Sequence, residues 1–189
     1  MKLLMAGIFS CLVMLAAAVC QGATWFVATN GTDGAAPPWG SSWDFPYATI
    51  SNAVAHANAD AGSLVLISNG IYNVTNQITV SNGVACRGFS DNPNDVIVDG
   101  GGTTRCFYLL GGVLSAVTVT NGYAPSASFG GDGGGLYCSA AGVVSNCIVA
   151  GNTAAHYGGG LRVDSGGAVA DCILLNNAAV RGGGGGRHA

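Results

Sequence analysis

Two glycine-led segments, GGGLYCSAAGVVSNCIVAGNTAAHY (133–157) and GGGLRVDSGGAVADCILLNNAAVR (158–181), align with each other along their whole length. Leu136 aligns with Leu161, and Cys147 aligns with Cys172. An earlier segment, LSAVTVTNG (114–122), aligns with VSNCIVAGN (144–152) at a slightly longer interval, because extra residues fall in the loop between them. Repeats with a period of about 25 residues indicate stacked units, each of which buries its apolar face only against its neighbours.

Each unit contains short runs in which apolar and polar residues alternate, separated by Gly or Asn. Val117 and Val119, for example, alternate with Thr118 and Thr120. This alternation is typical of strands, and several strands in so short a unit leave no room for a crossover helix. The pattern therefore predicts coils of short parallel strands, with equivalent side chains stacked in ladders.

A different pattern precedes the repeats. In YATISNAVAHANADAG (47–62), Ile50, Ala53, Val54 and Ala57 recur at helical spacing and predict an amphipathic helix of about three turns. A helix at this position would cover the open end of the stack, whose strand edges otherwise invite aggregation.

The composition and the N-terminus indicate an exported protein. Only 8% of the 189 residues are charged, all nine acidic residues are Asp, and Lys2 is the one lysine. We predict a signal peptide at 1–23, an N-terminal strand, loop and capping helix at 24–62, and β-helix coils at 63–189 with a truncated C-terminus. The low basic content argues against nucleic acid or anionic lipid as a partner, and we expect no membrane span after signal cleavage.

The segments FPYATISNAVAHA (45–57) and SLVLISNGIYNVTNQITVSNGVACRGFSDNPNDVIVDGGG (63–102) resemble the N-terminal part of right-handed parallel β-helix proteins with the pectin lyase-like fold. The glycine-led units look like repeats of the polymorphic outer-membrane-protein type, with Val149 and Leu174 in place of the aromatic residue. We therefore predict an all-β fold, a right-handed single-stranded parallel β-helix with a short N-terminal capping helix.

The glycine runs are predicted to form corners. No lysine is available for a phosphate loop, and the Asp spacing does not fit a calcium-binding nonapeptide. We interpret two sets of residues as structural turns: the glycines Gly133, Gly134, Gly135, Gly158, Gly159 and Gly160, and the stacked asparagines Asn152 and Asn177. Sugar binding by the asparagines is the alternative to a structural ladder.

The cysteines and histidines give no support for a metal site or a cofactor. After signal cleavage the cysteines would be Cys86, Cys106, Cys138, Cys147 and Cys172. Cys147 and Cys172 should be coil neighbours, and buried free thiols are favoured over a disulfide because in-register parallel neighbours rarely meet its dihedral angle. The histidines lack ligand-like spacing, so we predict no metal.

An outward-facing group gives the one candidate ligand-contact face. If Leu161 and Val163 point inward, then Arg162 and Asp164 point outward together, above Tyr137 and Ser139 on the preceding coil. An aromatic ring, a guanidinium and a carboxylate on a shallow β face suit a saccharide or peptide. A solvated Arg–Asp pair on a surface strand is the structural alternative.

The resemblance implies a bacterial protein that is secreted or displayed at the cell surface, including an outer-membrane-associated location. We expect a non-catalytic scaffold or adhesin-like binding module that binds a polysaccharide or a host or cell-surface ligand. The alternative is a carbohydrate-active protein (a lyase, esterase or hydrolase of pectin-like substrates), or a fragment of one that lacks its catalytic coils. An autotransporter passenger fragment is a third interpretation.

Catalysis is disfavoured because no known catalytic set maps onto the sequence. Pectinesterases pair Asp carboxylates with an Arg, and β-helix lyases hold calcium with carboxylates beside a basic residue. Asp91, Asp95 and Asp99 are interpreted as part of an inter-strand loop that leads into a coil.

Overall fold

The computed structural model describes residues 22–34, 38–126, 131–139, 141–164 and 166–188. Almost all of the predicted signal peptide lies outside these residues. The described chain winds into a parallel β-solenoid whose strands form three long sheets and one short corner ladder. Every strand pairing within these sheets is parallel, which confirms the predicted stack of coils.

The strands of the three long sheets fall in sheets 1, 2 and 3 in turn along the chain, except that the first two strands both lie in sheet 1. Sheet 1 contains β1 (Thr24–Val27), β2 (Leu64–Ile67), β5 (Ala85–Gly88), β8 (Val113–Ser115), β12 (Val143–Ser145) and β16 (Ala168–Ala170). Sheet 2 contains β3 (Gly70–Asn73), β6 (Val96–Asp99), β9 (Thr118–Thr120), β13 (Ile148–Ala150) and β17 (Ile173–Leu175). Sheet 3 contains β4 (Ile78–Ser81), β7 (Phe107–Leu110), β11 (Leu136–Ser139), β15 (Leu161–Val163) and β19 (Gly186–His188), and the corner ladder contains β10 (Tyr123–Ala124), β14 (Thr153–Ala154) and β18 (Ala178–Ala179).

The strand register follows the sequence repeat. Leu136 pairs with Leu161 and Ile148 pairs with Ile173, which are the same partners that the alignment of the two glycine-led segments gives. Thr118 pairs with Ile148, which reproduces the longer interval between the earlier units. The repeats therefore correspond one to one with coils of the solenoid.

The interior of the stack is filled by one apolar residue set from each sheet. Leu136, Cys138, Val144 and Val149 are fully buried, and the equivalent residues of neighbouring coils lie above and below them. The middle run, in which Ile148 and Ile173 blur the alternation, turns Val149 inward and leaves Ile148 on the outer face. Burial of such continuous aliphatic ladders is the main stabilising contribution to a fold of this kind.

The N-terminal helix covers one side of the first coil. Helix α1 (Ile50–Ala57) buries the four predicted residues, Ile50, Ala53, Val54 and Ala57, against β1, β2 and β4. It has eight residues and is shorter than the three turns expected. The helix ends at Asn58, whose side chain bonds the backbone of sheet 3 at Thr79 O (2.8 Å) and Ser81 N (3.0 Å).

The two asparagines form the predicted ladder inside the corner. Asn152 is fully buried, and its Nδ2 donates to Asn177 Oδ1 at 3.0 Å and to Val119 O at 3.0 Å. Its Oδ1 accepts a hydrogen bond from the Gly122 amide at 2.7 Å. Asn177 repeats the pattern one coil along by donating to Val149 O at 2.8 Å.

Each glycine of the run 133–135 is required for a different steric reason. Gly133 has a φ of +64°, a conformation that a side chain rarely adopts. A Cβ on Gly134 would lie 2.3 Å from Thr153 O, and a Cβ on Gly135 would lie 2.8 Å from Asn152 Cγ. The corresponding glycines of the next unit, 158–160, repeat this arrangement against Ala178 and Asn177.

Candidate functional site

The candidate face on sheet 3 brings three of its four predicted residues into contact. Tyr137 pairs in register with Arg162, and the Arg162 Nε donates to Asp164 Oδ1 at 2.9 Å. The Tyr137 hydroxyl donates to the other oxygen of the same carboxylate. Aromatic ring, guanidinium and carboxylate therefore meet on the outer face, as the strand alternation predicted.

A second carboxylate completes this cluster. Asp132, which lies just before β11, places Oδ2 3.7 Å from Arg162 Nη1 and accepts the Tyr157 amide on Oδ1 at 3.1 Å. The side chains of Arg162 and Asp132 are only 14% and 15% exposed, and that of Asp164 is 33% exposed. Arg162 and Asp132 are thus largely buried, and Arg162 contacts a carboxylate on each of two sides, Asp132 and Asp164. Asp132 was not among the predicted residues, and its one signal in the sequence is that it is an acidic residue enclosed by glycines.

Ser139, the fourth predicted residue, bonds elsewhere. Its hydroxyl lies 3.3 Å from the Tyr108 hydroxyl. The Tyr108 ring packs edge-on against the Tyr137 ring, with centroids 5.5 Å apart. Ser139 therefore adjoins the cluster through the rings of Tyr108 and Tyr137. This hydrogen bond does not reach Arg162 or Asp164.

A buried arginine supports the cluster from beneath. Arg105 is 2% exposed, and its guanidinium donates to Gly133 O (2.8 Å), Gln77 Oε1 (2.6 Å) and Asp132 O (2.5 Å). Its Cζ lies 5.4 Å from the centroid of the Tyr137 ring. No sequence pattern signals this role, because it depends on how the chain before β11 folds back over the sheet.

The titration behaviour of the cluster favours a fixed charge state. Burial lowers the pKa of Arg105 to about 10, which leaves it charged at neutral pH. Burial and the hydrogen bond to Asp164 raise the pKa of Tyr137 to about 12, so its hydroxyl remains a donor. The cluster is a satisfied hydrogen-bond network in which the outer part of Asp164 is the most accessible charge.

A separate groove lies at the corner between sheet 2 and the corner ladder. It has a volume of about 550 Å³, is largely open to solvent, and is lined by Asn73, Asp99, Gly101, Gly102, Asn121, Gly122, Tyr123, Gly151 and Thr153. These residues come from four successive coils, so the groove extends along the stacking axis. Such an open groove suits an extended, linear ligand.

Asp99 is the one carboxylate among the described residues of this lining. Its Oδ1 accepts the Gly101 amide at 2.8 Å, and its Oδ2 accepts Asn121 Nδ2 at 2.9 Å. A carboxylate has about four acceptor sites, so each oxygen keeps capacity for a ligand hydroxyl. The sequence predicts Asp99 in one loop with Asp91 and Asp95, but Asp99 is the last residue of β6, and Asp91 pairs with Arg87 across its own turn.

The rest of the described chain adds no metal centre of the usual kind. Within residues 22–34, 38–126, 131–139, 141–164 and 166–188, no group of three or more His, Cys, Asp or Glu side chains is placed to hold an ion. The five described cysteines are free thiols; four are buried and Cys172 is partly buried.

No family model, curated protein or solved structure matches the chain. Among the described residues, no helix has the length and apolar character needed to cross a bilayer. The class of protein is therefore defined by the fold alone, a parallel β-solenoid with one short helix near its start.

Proposed function

We propose that the protein is an exported, extracellular or cell-surface β-helix of the pectin lyase-like type that acts as a non-catalytic scaffold and binding module. The observation that carries this proposal is the groove lined by four successive coils. It extends along the stack, so a linear polysaccharide laid along it would contact residues of each of the four coils in turn.

The chemistry of the groove favours an uncharged chain of sugars. Amides, a hydroxyl and the Asp99 carboxylate can bind sugar hydroxyls, and Tyr123 offers an aromatic ring. Neither Lys nor Arg occurs among the described lining residues, so a polyanion would meet the Asp99 charge without a compensating cation. The expected ligand is accordingly a neutral polysaccharide.

Affinity electrophoresis on gels containing neutral or acidic polysaccharides tests this proposal. Retention by a neutral polysaccharide, without product formation, is expected. Tyr123→Ala and Asn73→Ala should reduce the retention, whereas Asn76→Ala, the same change on an exposed turn of the first coil outside the groove, should not. Equal retention of all variants would refute the groove as the binding site.

A second candidate is a carbohydrate-active enzyme of pectin-like substrates. The specific observation in its favour is that Asp132 and Asp164 share Arg162 on an outer face. Two carboxylates around a guanidinium are groups that can serve as general acid, base or nucleophile. Product release from acidic polysaccharides, measured with and without calcium, tests it. Turnover by the unmodified protein that is lost in Asp164→Asn would refute the non-catalytic proposal and support the enzyme.

A further inference from the structure

Cys147 and Cys172 occupy the same place in successive coils. Each directly precedes a strand of sheet 2, Ile148 and Ile173 are in register, and the Ile173 amide bonds Cys147 O at 2.9 Å. Each Sγ lies near the carbonyl two residues before it, at 3.2 Å from Ser145 O and 3.1 Å from Ala170 O. The two cysteines therefore stack one above the other in successive coils.

The spacing of the coils suits an ion between these sulfurs better than a bond between them. Adjacent strands lie about 4.7–4.9 Å apart. Two metal–thiolate bonds in a straight line, each taken at the zinc–thiolate length of about 2.3 Å, span about 4.6 Å. A disulfide instead requires sulfurs about 2.05 Å apart and a dihedral angle near 90°, which in-register side chains do not readily reach.

We propose that Cys147 and Cys172 form a two-coordinate thiolate site for a soft, monovalent d¹⁰ cation such as Cu(I). Thiolates select soft ions, and Cu(I) accepts two ligands in a line, whereas zinc needs three or four. The histidine spacing argued against a metal site only for ions such as zinc, which need three or four ligands. A two-coordinate ion requires only this pair.

The proton balance and the access route agree with this assignment. Binding releases one proton from each thiol and leaves a complex of one cation and two thiolates. Cys172 is partly exposed and offers the way in, whereas Cys147 is buried.

Competition with a coloured Cu(I) chelator, under inert gas and with a non-thiol reductant, tests the site. The protein should remove one Cu(I) per chain, with ultraviolet thiolate-to-metal absorption and X-ray absorption showing two sulfur neighbours. Cys172→Ala and Cys147→Ala should each weaken binding at least tenfold. Cys86→Ala and Cys138→Ala are matched controls, since both remove a buried thiol whose in-register neighbours are not cysteine.

Three results would overturn the assignment. The first is tight binding retained in Cys172→Ala, a variant that changes a partly exposed side chain and should fold even where Cys147→Ala does not. The second is a Cu(I) coordinated by three sulfurs or a multi-copper cluster, which would indicate thiols beyond this pair. The third is stoichiometric binding lost equally in the control variants.

Discussion

Replacing Asn152 with alanine should be among the most destabilising single changes in the described chain. The side chain is fully buried and bonds the backbone of two coils, at Gly122 N (2.7 Å) and at Val119 O (3.0 Å). Replacing Asn152 leaves the Gly122 N–H donor and the Val119 carbonyl acceptor unpaired inside the buried corner. Each such loss costs about 1–3 kcal/mol, so we expect about 3–4 kcal/mol in the free energy of unfolding.

Urea unfolding followed by far-ultraviolet circular dichroism measures this loss. Asn76→Ala is the matched control, because it makes the same change on an exposed turn of the first coil. That variant should change the free energy of unfolding by less than about 0.5 kcal/mol. Equal losses in the two variants, or a loss below about 1 kcal/mol in Asn152→Ala, would refute the view that burial gives the ladder its strength.

Three further predictions concern the corners and the thiol pair. Gly135→Ala should lower the free energy of unfolding by about 1–3 kcal/mol, because its Cβ would lie 2.8 Å from Asn152 Cγ. Gly185→Ala should be tolerated, because the nearest contact of its Cβ is at 3.9 Å. A thermal shift assay distinguishes the two variants. Ala141→Gly should raise the free energy of unfolding by up to about 1 kcal/mol, since Ala141 has a φ of +62° where the next coil has Gly166, and a destabilised variant in urea titrations would contradict this. Iodoacetamide labelling of the folded protein, read by peptide mass spectrometry, should modify Cys172 at a rate that is half-maximal below the ordinary thiol pKa of about 8.5, because a lowered pKa populates its thiolate at lower pH; labelling of Cys147 first would contradict the assignment.

The coil architecture could be predicted because the sequence repeats once per coil, with a period of about 25 residues. Alternation determines which side chains of Leu136–Ser139 point inward, and the repeat interval determines which residues stack, so Tyr137 beneath Arg162 followed directly. The asparagine ladder followed for the same reason. Local pattern and strand register together determine these positions.

The charged network around Arg162 could be predicted only in part. Its strand residues follow the alternation, but Asp132 and Arg105 reach it from non-repeating segments. Their positions depend on how those segments fold over the sheet, which no period encodes. The groove escaped prediction for a related reason, because it is made of glycines and short polar side chains at turns that, read singly, indicate only corners.

The contact between glycine and asparagine at the corner also bears on how such a chain changes length. Gly135 packs on Asn152 of its own repeat, and in the next repeat Gly160 packs on Asn177 in the same way. Each repeat therefore carries both members of this contact. Duplication or loss of one whole repeat would preserve every one of these contacts, so related chains should differ in length by whole coils.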